Sequence, residues 1–365
     1  MILYMIQKIT KSKLIKIYSF LFLFSPISKV FSQNDTLKKM TVSAYGELYY
    51  SYDFLKPDNH EKPNFVYSHK RHNEVNFNLL LLKLNYKDQN IRANLGLMGG
   101  NYATYNLSAE PTWAQFVYEA NVGARLSKKR NLWLDVGVLP SHIGFGSAVG
   151  GDCWTLTRSL ITEGSPYYEA GVRVSYQSPN EKFYLAALYL NGWQRIKRPD
   201  FVQRPSFGGQ ITFKPNKKIF FNYSNFIGTD KPDSIKAIRT FHNVYMQYEP
   251  SEKFGLIAGF DIGSDKYNNT NYGTWYGPIL MAKSQINKKT IAAFRAEYYS
   301  DKYQIIVPTG TPNGFQVLGF SSNLDYDLTE KLKFRFEAKT YNSKDRIFNN
   351  DNKNFSITTS LIFRT

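Results

Sequence analysis

From Thr41 onward apolar and polar residues alternate with a period of two, the pattern of strands whose two faces meet different surroundings. Thr41–Tyr52 sets Val42, Ala44, Gly46, Leu48 and Tyr50 against Ser43, Tyr45, Glu47 and Tyr49. A polar loop, Asp53–Asn73, follows. Glu74–Tyr86 and Ile91–Gly100 then form a hairpin across Lys87–Asn90, with Ile91, Ala93, Leu95 and Leu97 opposite Arg92, Asn94 and Gly96. Trp113–Leu126 alternates most cleanly. It places Ala114, Phe116, Tyr118, Ala120, Val122, Ala124 and Leu126 on one side and Gln115, Glu119, Asn121, Gly123 and Arg125 on the other, with Val117 the exception. About fourteen alternating residues exceed the usual strand of a water-soluble domain and suit a tilted strand that crosses a membrane.

The pattern continues at about 132–139, 167–178, 183–192, 206–214, 219–227, 240–249, 254–264, 276–286, 290–300, 314–328, 332–342 and 354–363. It is ambiguous only around 183–192 and 276–286. Ser178-Pro179-Asn180-Glu181, Lys214-Pro215-Asn216-Lys217, Glu249-Pro250-Ser251-Glu252, Asn287-Lys288-Lys289 and Leu328-Thr329-Glu330-Lys331 are short turns, and proline is expected only where a ladder has ended. Short turns fall at one end of the strands and long loops at the other, as in outer-membrane barrels. Phe355, Ile357, Thr359, Leu361 and Phe363 make one face of a last strand that can close against the first. The expected fold is all-β: a transmembrane antiparallel up-and-down barrel of about sixteen strands. No helical stretch of any length is expected.

Composition agrees. Aromatic residues reach 16%, with 27 Tyr and 27 Phe, which suits strands between lipid and water. A mean hydropathy of −0.40 argues against a helical membrane protein but not a barrel, in which alternate residues face lipid. Lys8, Lys11, Lys13 and Lys16 precede the apolar run Ile17–Phe24, and Val30-Phe31-Ser32 reads as a cleavage site. The expected divisions are a cleaved signal peptide at 1–32, a linker at 33–40 and the barrel at 41–365. Removing 1–32 takes five lysines and no acid, which lowers the formal charge from +17 to +12. In an exported protein such a balance suits anionic lipid or anion conduction better than nucleic acid. The single cysteine, Cys153, allows no disulfide framework.

One connection breaks the rhythm. Between Leu132–Leu139 and Tyr168–Gln177 lie about two dozen residues, far more than a usual loop. The stretch is rich in glycine, carries Asp152, Arg158 and Glu163, and ends at Pro166. A long loop in that place, 140–166, is expected to fold into the pore between strands 5 and 6. Loop and polar faces together supply the candidate lining: Asp152, Arg158, Glu163, Glu169, Arg173, Arg295, Glu297, Arg335, Arg125 and Glu119. Such charges, where solvated, filter solutes by charge.

Catalysis finds little support. His60, His69, His72, His142 and His242 lack zinc-ligand spacing, Ser141-His142 has no evident acidic partner, and Gly144-Phe145-Gly146 precedes no helix. No catalytic residue, cofactor or metal is expected. A barrel hydrolase using Ser141 is the disfavoured reading.

The stretch 132–193 resembles the β-barrel porin-2 family of Gram-negative outer membranes. The matching elements are Gly137, Gly144-Phe145-Gly146, Arg158-Ser159-Leu160, Pro166-Tyr167-Tyr168, Gly171-Val172-Arg173 and Asn191-Gly192-Trp193. Thr41–Tyr52 and the Arg295/Glu297 strand are also similar. The family commonly carries an acid soon after the glycine-rich turn, where this chain reads Ser147-Ala148-Val149 with Asp152 further on. The resemblance implies an outer-membrane porin without defined substrate or catalytic residues. The expected function is passive diffusion of small hydrophilic solutes or ions through a water-filled channel in outer-membrane lipid, with a slight anion preference and assembly as a homo-oligomer, a trimer. The alternative is an adhesin or surface receptor acting through its long loops.

Overall fold

The computed structural model describes residues 39–365; the expected signal peptide and most of the linker lie outside these residues. The chain winds through β1 (Met40–Asp53), β2 (Val75–Lys87), β3 (Ile91–Gly99), β4 (Val117–Arg125), β5 (Asn131–Pro140), β6 (Tyr168–Gln177), β7 (Phe183–Leu190) and β8 (Ser206–Asn216). It continues through β9 (Ile219–Gly228), β10 (Arg239–Ser251), β11 (Phe254–Lys266), β12 (Tyr272–Asn287), β13 (Thr290–Asp301), β14 (Phe315–Asp327), β15 (Leu332–Ser343) and β16 (Lys353–Arg364). Each strand pairs antiparallel with its sequence neighbours, and β1 pairs with β16, so the sixteen strands close without an edge. Seven short turns lie at one end and eight longer loops at the other.

Alternation decides which side chains face out. On β16 Phe355, Leu361 and Phe363 are exposed, while Asn354, Ser356, Thr358 and Ser360 are buried inside. Phe183, Phe213 and Phe221 stack on the outer surface next to the short turns, with centroids 4.6 and 6.5 Å apart. Such rings suit a membrane–water boundary.

The structure corrects three expectations. The long strand at Trp113–Leu126 is a shorter β4 preceded by a 3₁₀ turn, Ala114–Phe116, and Trp113 and Phe116 are exposed on that turn. A bulge between Gly96 and Leu97 of β3 leaves Tyr118 unpaired and turns its ring inward, where the Lys83 ammonium lies 5.6 Å from it. Proline is not confined to the ends of ladders either: Pro278 sits inside β12. The β12–β13 pairing skips Gly277 and Pro278 there, as a residue without an N–H requires. Two short helices occur in the long loops, α1 (Asn101–Asn106) and α2 (Leu160–Glu163).

The main apolar core lies inside the barrel. Leu188, Leu190, Ile257, Trp275, Ile279 and Met281 of the wall pack with Phe65 of the loop 54–74 and with Ile143, Leu160 and Ile161 of the loop 141–167. A β-carbon on Gly277 would meet Ile161 Cγ2 at 2.5 Å, so this glycine gives α2 its seat. The ambiguous alternation at 183–192 and 276–286 now has a cause. Both faces of those strands are apolar because lipid covers one and inserted loops cover the other.

Candidate functional site

The loop 141–167 begins and ends on a cross-strand glycine pair, Gly137 opposite Gly171. Their φ angles are 130° and 157°, and a β-carbon on either would run into the neighbouring backbone at Ala120 or Tyr189. Beyond this pair the chain turns into the lumen and attaches to most of the far wall. Gly144 N–H donates to Asn243 Oδ1 of β10 at 3.2 Å, Leu160 N–H to Glu297 Oε2 of β13 at 2.6 Å, and Leu156 N–H to Asn323 Oδ1 of β14 at 2.9 Å. Thr157 donates to Glu337 of β15 through both N–H and hydroxyl. Arg335 of β15 donates to the carbonyls of Gly150 and Cys153 at 2.7 and 3.0 Å. Tyr45 Oη of β1 accepts from Gly151 N–H at 3.0 Å, and Arg364 of β16 pairs with Asp152 at 2.8 Å.

This arrangement divides the ten expected lining residues. Arg158 is 2% exposed, and its guanidinium donates to the carbonyls of Ser147, Leu156 and Ala148 at 2.6, 2.9 and 2.8 Å. It braces the loop from within rather than facing the water path. Glu163 is buried where the loop 54–74 meets α2 and accepts from Ser68 N–H and Tyr167 Oη, both at 3.4 Å; burial pushes its carboxyl above the usual range. Glu169 holds His142 Nδ1 at 2.8 Å, and His142 Nε2 donates to the carbonyl of Asn225 at 2.8 Å. A carbonyl can only accept, so with a carboxylate on the other nitrogen both ring nitrogens carry protons. Against the cost of burial, Glu169 and the Asn225 carbonyl raise this histidine above its ordinary value. Arg295 and Glu297 pair at 3.1 Å, Arg295 also reaches Glu337 at 3.0 Å, and Arg335 reaches Asp325 at 2.7 Å, all beneath the loop.

The remaining four candidates stand elsewhere. Asp152 is half-exposed beside Arg364, toward the short-turn end. Glu119, Arg173 and Arg125 lie on the inner wall of β4 and β6, where Glu119 is buried and the two arginines are partly exposed. There Lys83 reaches Glu119 at 2.7 Å, and Arg92 and Arg173 share Asp135 at 2.5 and 3.2 Å. The Arg92 guanidinium also lies 4.5 Å over the Trp133 ring. The side chains of Lys83, Arg92 and Arg173 are 30%, 25% and 21% exposed, whereas Arg295, Glu297, Glu337 and Arg335 are at 0%. A cavity of about 790 Å³ at the short-turn end is lined by Asn85, Arg92 and Asn94. Sequence reading missed Lys83, since the run Leu79–Leu82 hides the parity of β2 and a bulge near Glu47 shifts it.

The loop 54–74 also enters the lumen. His69 is fully buried; its Nε2 donates to Glu47 Oε1 at 3.0 Å and its Nδ1 has no partner, as in a neutral ring. Burial, opposed by Glu47, lowers this histidine below its ordinary value.

A sequence profile described as "Putative beta-barrel porin-2, OmpL-like" matches residues 39–364. No curated protein matches the chain significantly. Among solved structures, the anion-selective porin from Comamonas acidovorans aligns with TM-score 0.59 at 9% identity, covering 89% of this chain and 99% of that one. The outer membrane channel DcaP of Acinetobacter baumannii gives TM-score 0.59 at 10% identity, covering 89% and 97%. Salmonella typhi OmpF in complex with daunomycin gives 0.60 at 8%, covering 89% and 97%. At these identities the structural likeness speaks for the fold, and the profile, spanning nearly all of the barrel, carries the family. The chain belongs to the porin-2, OmpL-like family and is an outer-membrane porin.

Proposed function

We propose that small hydrophilic solutes and ions pass between the inserted loop and the wall of β2 to β6, over the partly exposed cations of its short-turn half, and that this path weakly favours anions. One observation carries the reading: the cations of this wall, Lys83, Arg92, Arg125 and Arg173, are partly exposed, whereas its acids Glu119 and Asp135 are buried among them. Both acids are already bridged by these cations, so the surplus is positive while each single charge is partly screened. Export with removal of 1–32 and assembly as a trimer belong to the same proposal; the mature N-terminus and the mass of the detergent-solubilised assembly test them. That two long loops fold into the lumen favours a channel over a surface receptor.

Deleting Ser147–Thr157 is expected to raise single-channel conductance in a planar bilayer, since it removes the part of the loop that reaches β14 and β15. Joint reversal of Arg92 and Arg173 to Glu is expected to move the zero-current potential under a salt gradient toward cations. Unchanged conductance in the first variant would place the loop outside the path. An unchanged potential in the second would remove this wall from selectivity.

A further inference from the structure

Two ammonium groups lie deep in the lumen with too few partners. Lys62, on the loop 54–74, is 3% exposed, and Lys339, on β15, is 4% exposed. Lys62 Nζ donates to Ser51 Oγ at 3.0 Å, and Ser51 Oγ shares a hydrogen bond of 2.8 Å with Thr358 Oγ1. An ammonium has three N–H groups, so two remain. Lys339 Nζ lies 4.9 Å from the centroid of the Tyr341 ring. Among the described residues it has no hydrogen-bond acceptor, and no carboxylate lies within ion-pair distance of either lysine.

Strand register brings the two together. Ser51 pairs with Thr358 and Asp53 with Ser356 between β1 and β16, while Lys339 pairs with Ser356 and Glu337 with Thr358 between β15 and β16. The Lys62 ammonium is therefore hung one row from the root of Lys339. Ser321, opposite Lys339 on β14, is buried beside the Glu337 carboxylate, with no hydrogen bond of good geometry to it.

The acids nearby are engaged by other donors. Asn354 Nδ2 holds both oxygens of Asp53 at 2.9 and 2.8 Å, and Leu55 N–H donates to Oδ1 at 3.0 Å. Glu297 and Glu337 share Arg295 and receive the backbone N–H groups of Leu160 and Thr157. Glu163 receives Ser68 and Tyr167. These carboxylates have donors of their own, which leaves the two ammoniums short of direct acceptors in a place where an unpaired charge is costly. Burial, reinforced by the neighbouring Lys339 and opposed by Asp53, Glu337 and Glu163, lowers Lys62 to about 7. A cavity of about 450 Å³ at the loop end opens beside Lys62, with Asp53, Asp58, Glu61, Phe65 and Asn354 also in its lining.

We propose that Lys62 and Lys339, with the hydroxyls of Ser51 and Ser321, hold one small inorganic anion that fastens the loop 54–74 to the barrel wall. The site is separate from the partly exposed cations of the β2–β6 wall and does not depend on their selectivity. The ion supplies the missing acceptors and, by answering two charges at once, binds most tightly when both lysines are protonated.

The purified, folded barrel in detergent provides the test, with chloride or inorganic phosphate compared against gluconate, a bulky anion with a diffuse, weakly coordinating charge, at constant ionic strength. The wild-type melting midpoint is expected to rise by roughly 2–5 °C in chloride or phosphate. Lys62→Gln and Lys339→Gln are expected to abolish that difference. Should either fail to fold, as read by gel mobility with and without heating, Ser321→Ala keeps both lysines and is expected to reduce the difference. A wild-type midpoint equal in all three salts would overturn the proposal. So would a Lys339→Gln or Ser321→Ala barrel that keeps the full wild-type difference.

Discussion

At the scale of single residues, the inserted loops are held by buried charges whose protonation states follow from their partners. Two histidines respond to pH in opposite directions. His69 is lowered by burial, so its share of stability is present above the unfolded histidine value of about 6.5 and is lost as pH falls through the folded value. His142 is raised by Glu169 and the Asn225 carbonyl, so its share is present below that value and is lost as pH rises through the folded one. Denaturant midpoints measured from pH 4 to 9 are expected to flatten on the acid limb in His69→Gln and on the alkaline limb in His142→Gln. Limbs of unchanged slope in both variants would refute these assignments. Sequence alone could not have separated the two rings. His69 meets Glu47 twenty-two residues away, and His142 meets Glu169 and Asn225 across the lumen. Arg158 was equally illegible, because a lone arginine in a glycine-rich loop looks the same whether it faces water or its own carbonyls.

At the scale of elements, the period-two pattern suffices for nearly every strand, because lipid and lumen impose opposite chemistry on alternate residues. It fails where one of those surroundings changes. Loops packed inside make the inner residues Leu188, Leu190, Ile279 and Met281 as apolar as the outer ones. A bulge reverses Tyr118, and the sequence bears no mark of the 3₁₀ turn that delays the start of β4. The stems of the inserted loop carry a firmer signal. Gly137→Ala is expected to destabilise the barrel by roughly 1–3 kcal/mol, since its φ is positive and the added carbon strikes the Ala120 carbonyl. Gly99→Ala, where nothing lies within 4 Å of the added carbon, is expected to stay within about 0.5 kcal/mol of wild type. Equal effects from the two, in urea unfolding of the refolded barrel, would mean that the glycine pair does not set the stem geometry.

At the scale of the whole molecule the barrel has two unlike sides. From β10 through β16 and on to β1 the wall is covered within by the inserted loops, which also reach β7 and the long-loop ends of β2 and β3, whereas partly exposed charges line the short-turn halves of β2 to β6. Exchange of backbone amides requires local opening, and packing on both faces resists it. Hydrogen–deuterium exchange of the detergent-solubilised barrel is therefore expected to be slower in β11 to β15 than in β4 to β6. Uniform protection around the ring would mean that the loops lie only loosely in the lumen.

The loop 141–167 touches both edges of the joint between β1 and β16, through Tyr45 on one and Arg364 on the other. Its middle is already shaped by Arg158, which gathers three carbonyls of the same loop. A preformed insert that grips both lips of the seam works as a mandrel: it sets the circumference on which the last strand must land. Fourteen or eighteen strands would leave Gly151 and Asp152 without their partners on opposite lips. The segment that narrows the passage thus also gauges the ring, so size and bore are specified together.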